Sequence, residues 1–122
     1  MSTDNTRILL VDWDEDFATA LRSELKGIAR LEHLISAPEL DGALELSPTP
    51  VAILVDIDAF RLIEGAPLTK ALKRYSWIPR ILLTRQRQVS LELDPDLGHV
   101  LLARKDESPR TLAQTLDAHI TL

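Results

Sequence analysis

Val51-Ala52-Ile53-Leu54-Val55 is the longest of four short runs of consecutive apolar residues, and Asp56 follows it directly. The other three runs are residues 8–11, 81–83 and 100–103. Continuous rather than alternating apolarity indicates strands buried on both faces, which is typical of the centre of a parallel sheet. Residues 31–35 alternate at first, which indicates a fifth strand nearer an edge. The sequence therefore predicts a sheet of five strands.

Helical periodicity fills most of the segments between these runs. Apolar residues recur every three or four positions in four stretches: Phe17, Leu21, Leu25 and Ile28; Leu40, Ala43 and Leu44; Leu68, Ala71, Leu72 and Tyr75; and Leu112, Leu116 and Ile120. Ser108 as N-cap and Pro109 at the first helical position suit the start of the last helix. Asp94-Pro95-Asp96 interrupts the stretch 86–98, so a short or irregular helix is expected there.

Strand followed by helix, repeated five times with short connections, predicts right-handed crossovers and helices on both faces of a parallel sheet. We therefore predict an α/β fold, a doubly wound three-layer α/β/α domain of flavodoxin type. Its five-stranded parallel sheet would have the strand order 2-1-3-4-5. A single domain is expected over residues 6–121, after a disordered N-terminus over residues 1–5.

The composition excludes several classes of site and partner. The chain has 122 residues, with 14 Lys plus Arg against 19 Asp plus Glu, a formal net charge of −5 and no cysteine. Disulfides, thiolate metal sites and cysteine nucleophiles are thereby excluded. The acidic total does not support nucleic-acid binding. The apolar runs are too short to cross a bilayer, and the N-terminus lacks the apolar core of a secretory signal. We expect a cytoplasmic protein without a membrane contact.

Polar residues follow four of the predicted strands, where doubly wound sheets place their ligand sites. Asp12 follows the first strand, Asp56 and Asp58 the third, Thr84 the fourth and the pair 104–105 the fifth. Neighbouring carboxylates repel and need a shared proton, a bound cation or a basic side chain. Oxygen ligands without cysteine favour Mg²⁺. A carboxylate beside Mg²⁺ can attack a phosphoryl group and form an aspartyl phosphate.

At these strand ends the sequence resembles the receiver domains of response regulators, the CheY-like domains of bacterial two-component systems. The resemblance is carried by residues 7–12, 51–57, 78–84 and 104–105, in matching order and spacing, and extends over about residues 6–121. It implies a phosphorelay protein that is not itself an enzyme, although autophosphorylation at Asp56 is compatible with it.

The resemblance also implies roles for individual residues. Asp56 matches the phosphoacceptor aspartate, and Asp12 matches one residue of the Mg²⁺-binding acidic pair. Asp58 stands where a backbone carbonyl usually binds the metal. Thr84 matches the hydroxyl residue that contacts the phosphoryl group. Lys105 matches the pocket lysine when the chain is aligned on the leucine seven residues beyond it.

Several positions depart from the family pattern, and one remains open. Trp13 stands at the second position of the acidic pair, which weakens the prediction of Mg²⁺. Further departures are Ala59-Phe60 in place of Met-Pro, Arg85 in place of a small residue, and Leu101 and Leu102 in place of an aromatic. In an alternative alignment Arg104 faces the pocket instead of Lys105. The sequence thus predicts a modified phosphorylation pocket.

Less specific interpretations compete with these roles. For Asp14 we prefer a helix cap to a metal ligand, because carboxylates accept from free N–H groups in a first helical turn. Thr84 also suits a strand as a β-branched residue. Trp13 is either a lid over the pocket or an exposed contact for a partner. Residues 61–87 carry seven basic residues against Glu64 alone, which indicates a solvated basic face or a docking surface for an acidic partner.

Our leading hypothesis is a receiver-like protein-interaction module with Asp56 at the phosphoacceptor position, working without phosphorylation. Its expected partners are a histidine kinase or a downstream effector, together with a homodimer through the last strand–helix units. The first alternative is a conventional Mg²⁺-dependent phosphoacceptor. The second is a small aspartate-dependent phosphatase or phosphotransferase with Asp56 as nucleophile and Asp58 as general acid.

Overall fold

A computed structural model of the chain describes residues 6–87, 94–97 and 100–120. Five strands form one sheet: β1 (Arg7–Val11), β2 (Arg30–Leu34), β3 (Ala52–Asp56), β4 (Arg80–Thr84) and β5 (Val100–Arg104). Every neighbouring pair is parallel, and the order across the sheet is β2-β1-β3-β4-β5. This confirms the predicted fold class and strand order.

The described residues form four α-helices: α1 (Glu15–Glu24), α2 (Ala37–Leu44), α3 (Pro67–Arg74) and α4 (Pro109–Ile120). Side chains cap three of their amino ends, because the Asp14 carboxylate accepts from Phe17 N–H, the Ser36 hydroxyl from Glu39 N–H and the Ser108 hydroxyl from Thr111 N–H. The expected caps at Asp14 and Ser108 are therefore confirmed.

Alternate strand residues enter two separate apolar layers. Ile8, Leu10 and Leu54 pack with α1 and α4 on one face of the sheet. Leu9, Val11, Ile53, Val55 and Leu82 pack with α2 and α3 on the other face. Because successive side chains of a strand point to opposite faces, a continuous apolar run supplies both layers at once.

The prediction that residues 100–103 are buried on both faces is wrong. β5 is an edge strand, and Leu102 is 48% exposed. An apolar run indicates a strand, but it does not reveal whether a neighbouring strand or helix will cover each face.

One predicted helix ends earlier than its apolar periodicity indicates. α1 ends at Glu24 with Leu25 as its C-cap, so Ile28 lies beyond the helix and packs against the core from the following turn. Gly27 in that turn has a φ of 84°, which favours glycine. In the stretch 86–98 the described residues contain a 3₁₀ helix at Pro95–Leu97, in agreement with the short or irregular helix expected there. The predicted disorder of residues 1–5 lies outside the described residues.

Within the described ranges, none of the helices has the length and apolar character needed to span a membrane.

Candidate functional site

Parallel strands bring the predicted site residues to one edge of the sheet. β1 and β3 are paired, and Asp12 directly follows β1 while Asp56 is the last residue of β3. Thr84 ends β4 and is paired with Arg104, the last residue of β5. Lys105 directly follows Arg104. A hydrogen bond of 2.8 Å from Lys105 N–H to the Thr84 carbonyl fixes the position of Lys105 beside the end of β4.

Lys105 lies at the centre of this edge. Its ammonium donates to Oδ2 of Asp12 at 2.8 Å and to Oδ2 of Asp56 at 3.1 Å. The Lys105 side chain is fully enclosed, and both carboxylates are buried. Arg104 instead points away and pairs with Asp106. The choice that the sequence left open is therefore settled in favour of Lys105.

Each remaining oxygen of the two carboxylates accepts from the loop that follows it. Oδ1 of Asp12 accepts from Asp14 N–H at 2.9 Å, and Oδ1 of Asp56 accepts from Asp58 N–H at 2.8 Å. All four carboxylate oxygens thus have a donor from the protein. These bonds satisfy groups that would otherwise be costly to bury.

Two further features define the electrostatics of the buried pair. Burial raises the pKa of Asp12 above its ordinary value, against the lowering effect of the hydrogen bond from Lys105. The Lys105 ammonium also lies 4.5 Å from the centre of the Phe17 ring, a cation–π contact. The apolar periodicity predicts Phe17 only as a core residue, and its position in the first turn of α1, close to the strand ends, is the signal for this contact.

Asp58 joins the loop after β3 to the end of β4. Its carboxylate accepts from the Thr84 hydroxyl at 2.7 Å, from Arg85 N–H at 2.9 Å and from the Gln86 amide at 2.9 Å. Burial alone would raise the pKa of Asp58, but the three hydrogen bonds outweigh it and lower that pKa. Gln86 was not among the predicted site residues, because nothing in the sequence fixes the path of the chain after β4.

Asp14 and Arg85 close one side of the site by an ion pair of 3.1 Å. The hydrogen bond from Phe17 N–H lowers the pKa of Asp14, and the Arg85 guanidinium lowers it further. Arg85 therefore brings a second cation to an edge that carries four carboxylates.

Trp13 lies outside this buried centre. Its side chain is 64% exposed, its indole N–H donates to the Ile35 carbonyl at 3.3 Å, and its ring meets Phe60 edge-on with 5.0 Å between ring centres. The structure therefore shows Trp13 as an exposed surface residue.

The residues present do not fit a Mg²⁺ site well. Mg²⁺ requires near-octahedral oxygen coordination, usually with one or two carboxylates. Here Asp12 and Asp56 are already bound by one ammonium, and the Asp58 carboxylate is turned to the end of β4. In the described part of the chain, no three acidic or histidine side chains lie together as metal ligands. Metal binding by Asp12, Asp56 and Asp58 stays a prediction.

The order and direction of the strands define the fold class. A doubly wound parallel sheet of order 2-1-3-4-5 is the flavodoxin- and CheY-like fold, and here it brings carboxylates at the ends of the first and third strands and a lysine at the end of the fifth to one edge. The sequence itself matches no protein-family model and no curated protein.

Solved structures match over nearly the whole chain. A response regulator receiver protein from Burkholderia phymatum has a TM-score of 0.72 at 20% identity, covering 96% of each chain. A putative response regulator from Chloroflexus aurantiacus has a TM-score of 0.71 at 20% identity, covering 98% of this chain and 100% of that one. The non-phosphorylated HemR receiver domain from Leptospira biflexa has a TM-score of 0.68 at 23% identity, covering 96% and 95%. The resemblance to receiver domains is thus confirmed as a resemblance of fold.

Proposed function

We propose that this chain is a receiver-like protein-interaction domain of bacterial two-component signalling, with Asp56 at the phosphoacceptor position, whose interactions do not require phosphorylation. Histidine kinases and downstream effectors are the proposed classes of partner. The domain is proposed to act by binding and not as an enzyme.

The observation that carries this proposal is the position of the Lys105 ammonium between Asp12 and Asp56. One internal cation offsets part of the repulsion between two buried carboxylates, which is a role that a bound metal would otherwise fill. Trp13 stands where the second metal-binding carboxylate of the family would be, and it is directed to the surface.

The hydrogen bonds of Thr84 support the same proposal. Its hydroxyl donates to Asp58, and it also accepts from Gln86 N–H at 3.0 Å. A switch hydroxyl must donate to the phosphoryl group that it senses. Thr84 would have to break its bond to Asp58 before it could do so.

The decisive experiment is incubation of the whole chain with acetyl phosphate, with and without Mg²⁺, followed by intact-mass measurement. We expect no phosphoryl adduct that depends on Asp56, and hence the same spectrum for the chain and for Asp56→Asn. An adduct on the chain that disappears in Asp56→Asn would overturn the proposal in favour of a conventional Mg²⁺-dependent phosphoacceptor.

A gain-of-function variant makes a negative result informative. Trp13→Asp restores the acidic pair, and because Trp13 is exposed the variant is expected to fold. We expect calorimetry to detect Mg²⁺ binding to Trp13→Asp more readily than to the unchanged chain. Equal Mg²⁺ binding by both would mean that Trp13 is not what weakens the metal site.

The phosphatase alternative has less support from the site. A general acid must carry a proton at the working pH, whereas the hydrogen bonds to Asp58 lower its pKa and keep it ionised. Turnover of a phosphate ester that is lost in Asp58→Asn would nevertheless favour that alternative.

A further inference from the structure

We propose that a groove beside the pocket, here called the Ile35 groove, binds a partner segment that presents apolar side chains with basic residues at one end. The Ile35 groove consists of two adjoining concavities that share Ile35. One, of about 500 Å³, lies along Trp13, Glu15 and Asp16. The other, of about 400 Å³, lies along Pro38, Phe60, Arg61 and Pro67.

The floor of the groove is apolar surface in contact with solvent. Trp13 is 64% exposed and Ile35 is 53% exposed. They are neighbours, because the Trp13 indole donates to the Ile35 carbonyl, and Phe60 lies against Trp13. Large apolar residues grouped at the surface and rimmed by polar ones mark interaction sites. Trp13 is held by two contacts, so little of its rotamer freedom remains to be lost on binding.

The charged residues around the groove indicate which charge the partner segment carries. Glu15 and Asp16 are exposed at the start of α1, and across the described ranges neither forms an ion pair. The nearby Arg85 is occupied by Asp14. The α1 end of the groove is therefore negative, and a cation on the partner fits there.

The other end of the groove fixes a direction for the bound segment. Arg61 lies at the α3 end, where a cation on the partner would be repelled. The fitting segment therefore places its basic residues toward α1, inserts apolar side chains along Ile35 and Phe60, and is neutral or acidic at its far end. This inference rests on the proposed interaction role and gives it a surface distinct from the last strand–helix units.

The test uses three short labelled peptides and the whole chain, with fluorescence anisotropy as the readout. The first peptide is amphipathic, with leucines on one face and lysines at one end. The second replaces its lysines by glutamates, and the third replaces its leucines by serines. We expect saturable binding of the first peptide and at least about tenfold weaker binding of the other two.

Matched variants distinguish binding at the Ile35 groove from nonspecific electrostatic or hydrophobic binding elsewhere on the surface. Ile35→Ser and Glu15→Lys are expected to weaken binding of the lysine–leucine peptide. Trp77→Ser and Glu24→Lys are expected to leave this binding unchanged. Trp77 is 68% exposed and precedes the amino end of β4, whereas the groove lies at the carboxyl ends of the strands, and Glu24 is exposed at the far end of α1.

Three results would overturn the inference: no saturable binding of the lysine–leucine peptide, an equal loss in Glu24→Lys and Glu15→Lys, or a dimer in light scattering that Ile35→Ser dissociates. The last result would identify the occupant as a second copy of the chain. Phosphorylation of Asp56 would overturn the proposed function while leaving the peptide result unaffected, so the two failures are distinguishable.

Discussion

Lys105 is the residue that holds the two buried carboxylates together at the carboxyl ends of the strands. Its ammonium binds two buried carboxylates, whereas the neighbouring Arg104 forms an exposed pair with Asp106. Removing one partner of a buried ion pair leaves an uncompensated charge in the interior, which is far more costly than the loss of a surface pair.

We predict that Lys105→Met lowers the free energy of unfolding by about 3–5 kcal/mol in urea titrations at neutral pH. Arg104→Met, the matched control, should cost about 1 kcal/mol or less. Burial already raises the pKa of Asp12, so the native variant takes up a proton more readily than its unfolded chain. The deficit of Lys105→Met should therefore shrink as the pH falls. Equal losses in the two variants would contradict the assigned role of Lys105.

At this scale the sequence predicted which residues meet but not how they bind one another. The strand ends placed Asp12, Asp56 and Lys105 together because parallel strands end at one edge. The choice between Arg104 and Lys105 depended on where β5 ends, to within one residue. The bond between Asp58 and Thr84 depended on a loop conformation that the residue types do not determine.

At the scale of the elements, apolar runs predicted four of the strands and alternation in residues 31–35 predicted the fifth, but the runs did not predict how far each strand is buried. Leu54 in β3 and Leu102 in β5 belong to similar runs, yet Leu54 is fully buried and Leu102 is 48% exposed. The difference arises from strand order, because β3 has a strand on each side and β5 has only one. The helix ends were less predictable, since α1 stops before Ile28 where the chain turns at Gly27.

Paired alanine substitutions measure this difference. Leu54→Ala is expected to lower the free energy of unfolding by about 2–5 kcal/mol, because it leaves a cavity between the sheet and its helices. Leu102→Ala should cost about 1 kcal/mol or less, since half of the side chain already contacts water. Chemical denaturation of both variants is sufficient, and a loss in Leu102→Ala as large as that in Leu54→Ala would indicate that β5 is covered in solution.

At the scale of the whole molecule, buried arginines join segments that are distant in sequence. Arg7 at the start of β1 donates to the carbonyls of Ala43 and Leu46 at 2.9 Å each and of Pro48 at 2.6 Å, and it pairs with Glu32. The guanidinium therefore satisfies carbonyls at and beyond the end of α2, where a cation is favourable.

We expect Arg7→Met to cost at least about 3 kcal/mol of unfolding free energy, because three carbonyl groups and the Glu32 carboxylate each lose a buried cationic donor. Arg30→Met is the control, since Arg30 is exposed and pairs with the same Glu32. Hydrogen exchange should localise the first loss of protection in Arg7→Met to the end of α2. A uniform loss over the sheet would mean that Arg7 does not act through that segment.

The topology of the molecule was predictable from the alternation of strands and helices, but its basic face was not. Arg80, counted among the basic residues of 61–87, is buried and donates to the Leu72 carbonyl at 3.2 Å. Lys73, Arg74 and Arg85 form ion pairs with Asp94, Asp41 and Asp14. Counting charges along a segment cannot reveal such partners, because they come from other parts of the chain.

Because Lys105 is enclosed, acylating reagents are expected to modify the four lysines of the chain at different rates. Lys26 and Lys70 are exposed and Lys73 is half-buried, whereas the Lys105 amine is sealed off from solvent. An amine in that position becomes nucleophilic toward a reagent only while the polar edge of the sheet is transiently open. The rate at which Lys105 is acylated, relative to the other three lysines, therefore measures how often the domain opens at this edge.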